Sequence, residues 1–300
     1  EGDDCIPIAE LPFTVDKVIR CLNLLLIRSG PAVYAFDAAT GRIREIYRSI
    51  RAFEIYSADE GFVVVDGRTI YYLDYRGTVR QMYSPQSEYH DFATYMDGYF
   101  HILKSYREYI GPRGGRSTRS TDDDDPDWRT YHYLNRPEYK YETDEEYTYQ
   151  RGLNISGTSM TGVLRGTLRT ANTIIINTTQ YAYLHDKRFH KPCVLQRLEA
   201  GTEIVSVSDN FLGINHDDAF NLYRRDSITE QTLLRTLGRW ADCADHTMSE
   251  VVHSYDDGIS VWNFRDNTSH GVQNKAGWGQ TIKGLFFIFL LYTSDAADDK

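Results

Sequence analysis

Cysteine is scarce in this chain. Only Cys5, Cys21, Cys193 and Cys243 occur in 300 residues. None forms a C-x-x-C pair, so neither a zinc knuckle nor a thioredoxin-type dithiol is encoded, and four thiols are too few for a disulfide scaffold in a chain of this length. They read as buried free thiols. Positive charge is also in deficit: 33 Lys and Arg stand against 43 Asp and Glu, a net charge of −10. Such a balance excludes a general nucleic-acid binder, which needs a basic face to displace counterions, and it disfavours docking on anionic membrane. The one Arg-rich piece, Arg113 to Arg119, runs straight into Asp122 to Asp125. Long apolar runs are missing. "GLFFIF", Gly284 to Phe289, is too short to span a bilayer and reads as a buried strand, the start of a truncated membrane helix being the alternative. Catalytic fingerprints are missing too. There is no G-x-S-x-G, H-E-x-x-H, P-loop or dinucleotide motif, and "GRSTRS" and "GVLRG" lack the Lys and the spacing of a phosphate loop.

What the chain does contain points to strands. Apolar residues make up 41% and charged residues 25%, ordinary values for a globular domain. The 23 Tyr and 13 Phe favour pleated, half-buried surfaces. The clearest local signal is "VYAFDAATGR", Val33 to Arg42: an alternating stretch, then an Asp-to-Gly turn, then a second alternating stretch. The Asp suits a turn in which its side chain bonds back to the backbone, and the Gly one in which φ is positive.

That unit recurs. "GPAVYAFDAATGRIREIY" from Gly30 lies over "GRTIYYLDYRGTVRQMY" from Gly67, and each follows a short apolar run, Leu24 to Ile27 and Phe62 to Val65. "TQYAYLHD" from Thr179, "DAFNLYRR" from Asp218 and "DGISVWNF" from Asp257 repeat the strand in the second half. The aligned column is Tyr34, Tyr71, Leu184, Tyr223 and Trp262, with Tyr109 and Tyr147 at the two positions a constant step predicts between Tyr71 and Leu184. A period just under 40 residues with several short strands per copy is the signature of a β-propeller. Runs such as "FVVV" and "LLLI", apolar throughout, fit sheets buried on both faces. A β-sandwich of short strands is the alternative, but it supplies no reason for the period. The expected architecture is all-β, a propeller of seven four-stranded blades, with six or eight the other counts.

"VYAFDAATGRI" resembles the repeat of quinone-type propellers, in which an alternating strand ends in Asp-x-x-Thr-Gly, and "DDGISVWNF", Asp256 to Phe264, is similar to a WD-repeat strand. The resemblance is to the β-propeller superfamily and spans about ten residues per copy. It implies a propeller fold. It does not carry over a quinone site: the segment "RIREIY" has no docking Trp, and no adjacent Cys pair is present. No cofactor, metal or catalytic residue is expected.

The domain plan that follows has an N-terminal segment or first outer strand over 1–20, the propeller over 21–289 with a flexible loop at 111–130, and a non-native tail over 290–300. "LLYTSDAADDK", Leu290 to Lys300, resembles read-through of a sequencing adapter, and the chain opens on Glu1 rather than Met, as a processed chain or fragment does. Segment 111–130 is nearly free of apolar residues and reads as a solvated loop, with Ser117, Thr118, Ser120 and Thr121 open to modification; strand is expected to resume over 131–149. Sequons at Asn154, Asn177 and Asn267 permit glycosylation in a secreted protein. Beyond a lean to the cytoplasm, nothing marks a compartment.

Ligand-type residues remain. His185 and Asp186 alternate on a strand, so they cannot chelate together unaided; His190 follows, and structural roles are expected, a metal site being the alternative. His216 and Asp217 fall in a turn, and His253 on a core strand. Asp37 and Asp74 hold equivalent positions in adjacent copies, which makes them turn residues, or else part of an acidic rim. The functional expectation is a non-enzymatic monomeric platform for another protein, with no nucleic acid and no membrane. The alternative is an extracytoplasmic enzyme, glycosidase- or lyase-like, with acids at the axial mouth.

Overall fold

The computed structural model describes residues 10–67, 69–84, 91–111, 128–140, 149–154, 160–186, 193–197, 202–227, 230–255, 258–273 and 286. No helix occurs among them. Among the described residues, twenty-five strands form six antiparallel sheets. Blade 1 holds β1 (Lys17–Cys21), β2 (Leu24–Ser29), β3 (Ala32–Asp37) and β4 (Arg42–Arg48). Blade 2 holds β5 (Phe53–Ala58), β6 (Gly61–Asp66), β7 (Thr69–Asp74) and β8 (Val79–Tyr83). Blade 3 holds β9 (Phe92–Met96), β10 (Tyr99–Tyr109), β11 (Trp128–Lys140) and β12 (Tyr149–Asn154), with the short β13 (Met160–Thr161) also pairing with β11. Blade 4 holds β14 (Leu164–Arg169), β15 (Thr173–Thr178), β16 (Tyr181–Asp186) and β17 (Cys193–Arg197). Blade 5 holds β18 (Glu203–Val207), β19 (Phe211–His216), β20 (Ala219–Arg225) and β21 (Gln231–Leu237). Blade 6 holds β22 (Ala244–His246), β23 (Glu250–Tyr255), β24 (Gly258–Asn263) and β25 (Thr268–Gln273).

The protein is a six-bladed β-propeller. The aromatic column falls where the repeat puts it: Tyr34, Tyr71, Leu184, Tyr223 and Trp262 all lie on third strands. The preferred count of seven gives way to six because one oversized blade fills the gap between Tyr71 and Leu184. Its β10 and β11 have 11 and 13 residues. Tyr109 ends β10, a second strand, and Tyr147 lies outside the described residues. Of the expected loop at 111–130, residues 112–127 lie outside them as well, while Trp128 to Thr130 open β11. The expected boundary near residue 20 falls inside β1, which is an inner strand and not an outer one: β1, β5 and β9 approach one another in turn, as do β14, β18 and β22.

Each blade hides its faces against its neighbours. One cluster joins Leu26, Val33 and Ala35 of blade 1 to Phe53, Phe62 and Val64 of blade 2. Four further clusters do the same for blades 2 and 3, 3 and 4, 4 and 5, and 5 and 6. Phe62, Val63 and Val64 are all fully buried, which is why that strand does not alternate. The ring closes between blades 6 and 1 with an ion pair, Arg20 Nη1 to Asp245 Oδ2 at 3.4 Å.

Polar side chains stitch the same boundaries. Asn177 on β15 donates to Ile204 O at 2.9 Å in the next blade. Asn215 on β19 donates to Ala241 O at 2.8 Å and accepts from Ala241 N at 3.0 Å. Asn177 is buried, so its sequon is closed in the folded protein. The third-to-fourth turns follow the Asp-to-Gly logic. Asp37 accepts from Ala39 N at 2.9 Å and from Thr40 Oγ1 at 2.8 Å; Asp74 accepts from Arg76 N and Thr78 N, each at 2.9 Å, and from Arg80. Gly77 has φ +87°, and a Cβ there would stand 2.1 Å from Ile46 O. The outermost strands β4, β8, β17 and β21 each carry a register shift, a bulge that twists a free edge away from unwanted pairing.

Replacing Asn215 with Ala strands a buried N–H and a buried carbonyl at once, and is expected to lower unfolding stability by about 1–3 kcal/mol, read as a fall in the urea midpoint at unchanged m-value. Two buried rings set an acid limit. Burial pulls His246 and His253 from the ordinary 6.5 down to about 4. The unfolded chain therefore takes up protons below 6.5 that the folded chain refuses until about 4. Stability is fully present above 6.5 and drains as pH falls between those values, at up to ~1.4 kcal/mol per pH unit for each ring. The melting temperature should drop steadily from pH 7 to pH 5, and the His246→Gln, His253→Gln double variant should flatten that slope. A wild-type melting temperature indifferent to pH over this range contradicts the assignment.

Candidate functional site

The antiparallel meander gives the ring two different faces. First strands begin at the lower face, which also carries the second-to-third turns and the links between blades. The first-to-second and third-to-fourth turns crown the upper face.

Around the axis, inner strands β1, β5, β9 and β14 line a cavity of about 430 Å³. Its walls mix apolar side chains (Ile19, Ile55, Phe92, Leu164), the Tyr56 ring, the hydroxyls of Ser57 and Thr167, and the charges of Lys17, Asp91, Arg165 and Arg169. Arg169, the last residue of β14, lies at the upper end. Its side chain is 9% exposed, and its Nη2 reaches from blade 4 to Asp59 of blade 2 and, at 3.3 Å, to Tyr95 O of blade 3. Burial lowers the Arg169 pKa, while the Asp59 carboxylate opposes the shift.

A second cavity, of about 630 Å³, lies on the lower face between blades 1 and 2. Arg28, Arg51, Asp16, Glu54 and the fully exposed Ile50 line it. Glu54 couples the two cavities, accepting from Arg28 Nη1 at 2.5 Å and from Lys17 Nζ at 3.5 Å. Lys17 also stands 4.3 Å from the centroid of the Tyr56 ring, and burial holds its pKa below the usual value against the pull of Glu54. The carboxylates here are engaged. Asp16 accepts from Gly30 N at 2.7 Å, Glu54 is shared by two cations, and Asp91 accepts from Ser105. The guanidinium groups of Arg51 and Arg165, both exposed, make no ion pair or hydrogen bond among the described residues. A chain of net charge −10 thus turns two uncommitted cations toward adjoining cavities.

Asp91 belongs to a polar chain. Ser105 Oγ touches both Asp91 Oδ2 and His132 Nδ1, and His132 Nε2 is 2.6 Å from Gly162 O, so Nε2 carries a hydrogen. One hydroxyl proton serves one acceptor at a time; both contacts are satisfied together when Nδ1 is protonated as well. Burial lowers the His132 pKa, which puts that state on the acid side of neutrality.

Asp37 and Asp74 hold their turns on the upper face, and neither lines the axial cavity. His185 is buried with its ring centroid 5.4 Å from that of His101, and Asp186 is buried beside it. His216 Nδ1 meets Thr202 Oγ1 at 2.8 Å and its Nε2 meets Asp217 at 3.1 Å; Asp217 and Asp218, with φ +48° and +59°, make the turn. His253 stacks on Phe220 with centroids 5.2 Å apart. No grouping of three metal-ligating side chains occurs among the described residues. His190 and the serines and threonines of 117–121 lie outside them. Arg51, Arg165, Arg169, Ser105 and His132 carried no sequence signal, because they come from the β4–β5 link, β14, β10 and β11 and form no motif along the chain.

No protein-family model matches the chain, and no curated protein matches it. Solved structures do. A computationally designed protein, Ika8, superposes with a TM-score of 0.56 at 11% identity over 95% of this chain and 94% of its own. A chain of the mitotic checkpoint complex gives 0.52 at 11% identity, covering 93% and 89%. An oligogalacturonate lyase from Vibrio parahaemolyticus gives 0.53 at 9% identity, covering 88% and 79%. At such identities the likeness is one of fold.

Arg169 and Arg20 offer a contrast in burial. Arg169→Met should cost about 1–3 kcal/mol, the worth of hydrogen bonds to a charged group held out of water. Arg20→Met, at an exposed pair, should cost less than about 1 kcal/mol. Urea titrations of both variants check this, and equal losses would contradict the axial role of Arg169.

Proposed function

We propose that this six-bladed β-propeller is a monomeric docking platform for another protein, and that its lower face receives an acidic segment of that partner. The observation that carries the reading is the pair of uncommitted guanidinium groups, Arg51 and Arg165, beside two adjoining cavities. Arginine presents a planar fork matched to carboxylates and is enriched at protein interfaces. Ile50, fully exposed at the rim of the larger cavity, supplies an apolar contact beside it. The rest of the surface is net negative, so an acidic segment is steered away from other faces and toward this one. An extended nucleic acid meets the same negative surface on every side of the patch.

A second reading has an observation of its own. Asp91, tied to Ser105 and His132, lines a cavity of a size usual for small ligands, as an enzyme acting on a small acidic substrate would require.

The test is fluorescence anisotropy with a fluorescein-labelled peptide of alternating Asp and Glu, blocked at both ends. Saturable binding that weakens steeply between 50 and 300 mM salt is expected. The Arg51→Glu, Arg165→Glu double variant should weaken it at least tenfold with unchanged circular dichroism. Binding indifferent to both changes, or no binding, overturns the reading. Turnover of acidic oligosaccharides that is lost in Asp91→Asn favours the second reading instead.

A further inference from the structure

We infer that the axial cavity captures the free C-terminal carboxylate of the docked chain, with Arg165 and Lys17 as its receptors. This deepens the docking proposal and rests on it.

The first argument is geometric. Arg169, bound to Asp59 and Tyr95 O, ties blade 4 to blades 2 and 3 at the upper end of the cavity wall. The space behind it, about 430 Å³, admits a side chain or a chain end. The second argument is charge. Of the four charged side chains in the walls, three are cationic. Arg169 is spent on Asp59, which leaves Arg165 uncommitted and Lys17 sharing Glu54 with Arg28. An N-terminal ammonium would meet two like charges. A C-terminal carboxylate meets two donors, one of them a guanidinium fork. The third argument is shape. Ile19, Ile55, Phe92 and Leu164 offer an apolar wall to a last side chain, and Ser57 and Thr167 offer hydroxyls to the final peptide groups. About 430 Å³ is room for a chain end and not for a folded element.

The backbone adds an independent sign. The β14–β15 ladder slips between Leu164 and Gly166, so Arg165 is the extra residue of a bulge. A bulge leaves its extra residue outside the ladder and re-aims its side chain. Here the re-aimed residue is the uncommitted arginine, and it borders the cavity.

The experiment compares two fluorescein-labelled peptides, Gly-Ser-Asp-Glu-Phe-Leu with a free C-terminus and the same sequence as its C-terminal amide, by anisotropy against the full chain. In the wild type, amidation should weaken binding at least tenfold. In Arg165→Ala the free acid should weaken to within twofold of the amide, because the discriminating group is gone. That ratio reports recognition of the terminus and would not move through a purely structural effect; circular dichroism confirms the fold. If acid and amide bind the wild type equally while the end-blocked acidic peptide still binds, the docking proposal stands and this inference fails. If no peptide binds, both fail. If the acid–amide difference persists in Arg165→Ala, the receptor assignment is overturned.

Discussion

A four-stranded sheet that is oily on both sides cannot live alone, and everything in this protein follows from where its six sheets find cover. Each blade is buried between two neighbours, so Phe62 to Val65 can be apolar without interruption, and closing the circle removes all but the outermost edges. Those remaining edges are blunted by bulges in four of the six blades. The ring is less uniform than its repeat. Five boundaries carry an apolar cluster, while the boundary between the first and last blades carries the Arg20–Asp245 pair. Ile27, Phe36 and Val252 are buried on the faces that turn toward that seam.

Ring closure also brings distant parts of the chain together at the axis. Inner strands of four blades reach the axis, and whatever they present there is held by a scaffold that hydrogen bonds such as those of Asn177 and Asn215 keep in register. Arg169 shows the consequence. It stands 110 residues from Asp59, and the two meet because the ring brings blades 4 and 2 to one axis. Their ion pair is partly desolvated, so it constrains geometry more than it adds stability: it ties blade 4 to blade 2 at the upper end of the axial cavity.

Function in such a fold resides in what the faces carry. The upper face is largely self-satisfied: its aspartates hold turns, and Asp59, Asp97, Asn172 and Asp209 bond from one turn to the next. The lower face is different. Around its two cavities the acids Asp16, Glu54 and Asp91 are occupied and Arg51 and Arg165 are not, in a chain whose net charge runs the other way.

Much of the fold was legible in the residues themselves. The aromatic column from Tyr34 to Trp262 marked third strands because a repeating sheet places equivalent side chains in equivalent pockets. The Asp37 and Asp74 turns were readable because turn chemistry is local, decided by a side chain and a backbone a few residues apart. The blade count was not legible: Tyr109 and Tyr147 filled the expected steps, yet an elongated hairpin had absorbed the length of a missing blade, and strand length is settled by pairing. Nor was the site. Arg165, Lys17, Asp91 and Arg169 carry no motif, since their relation is one of distance across an axis and not of spacing along a chain. Local rules wrote the repeat; only the closed ring decided which side chains would face one another, because convergence at an axis is a property of the circle and of no single blade.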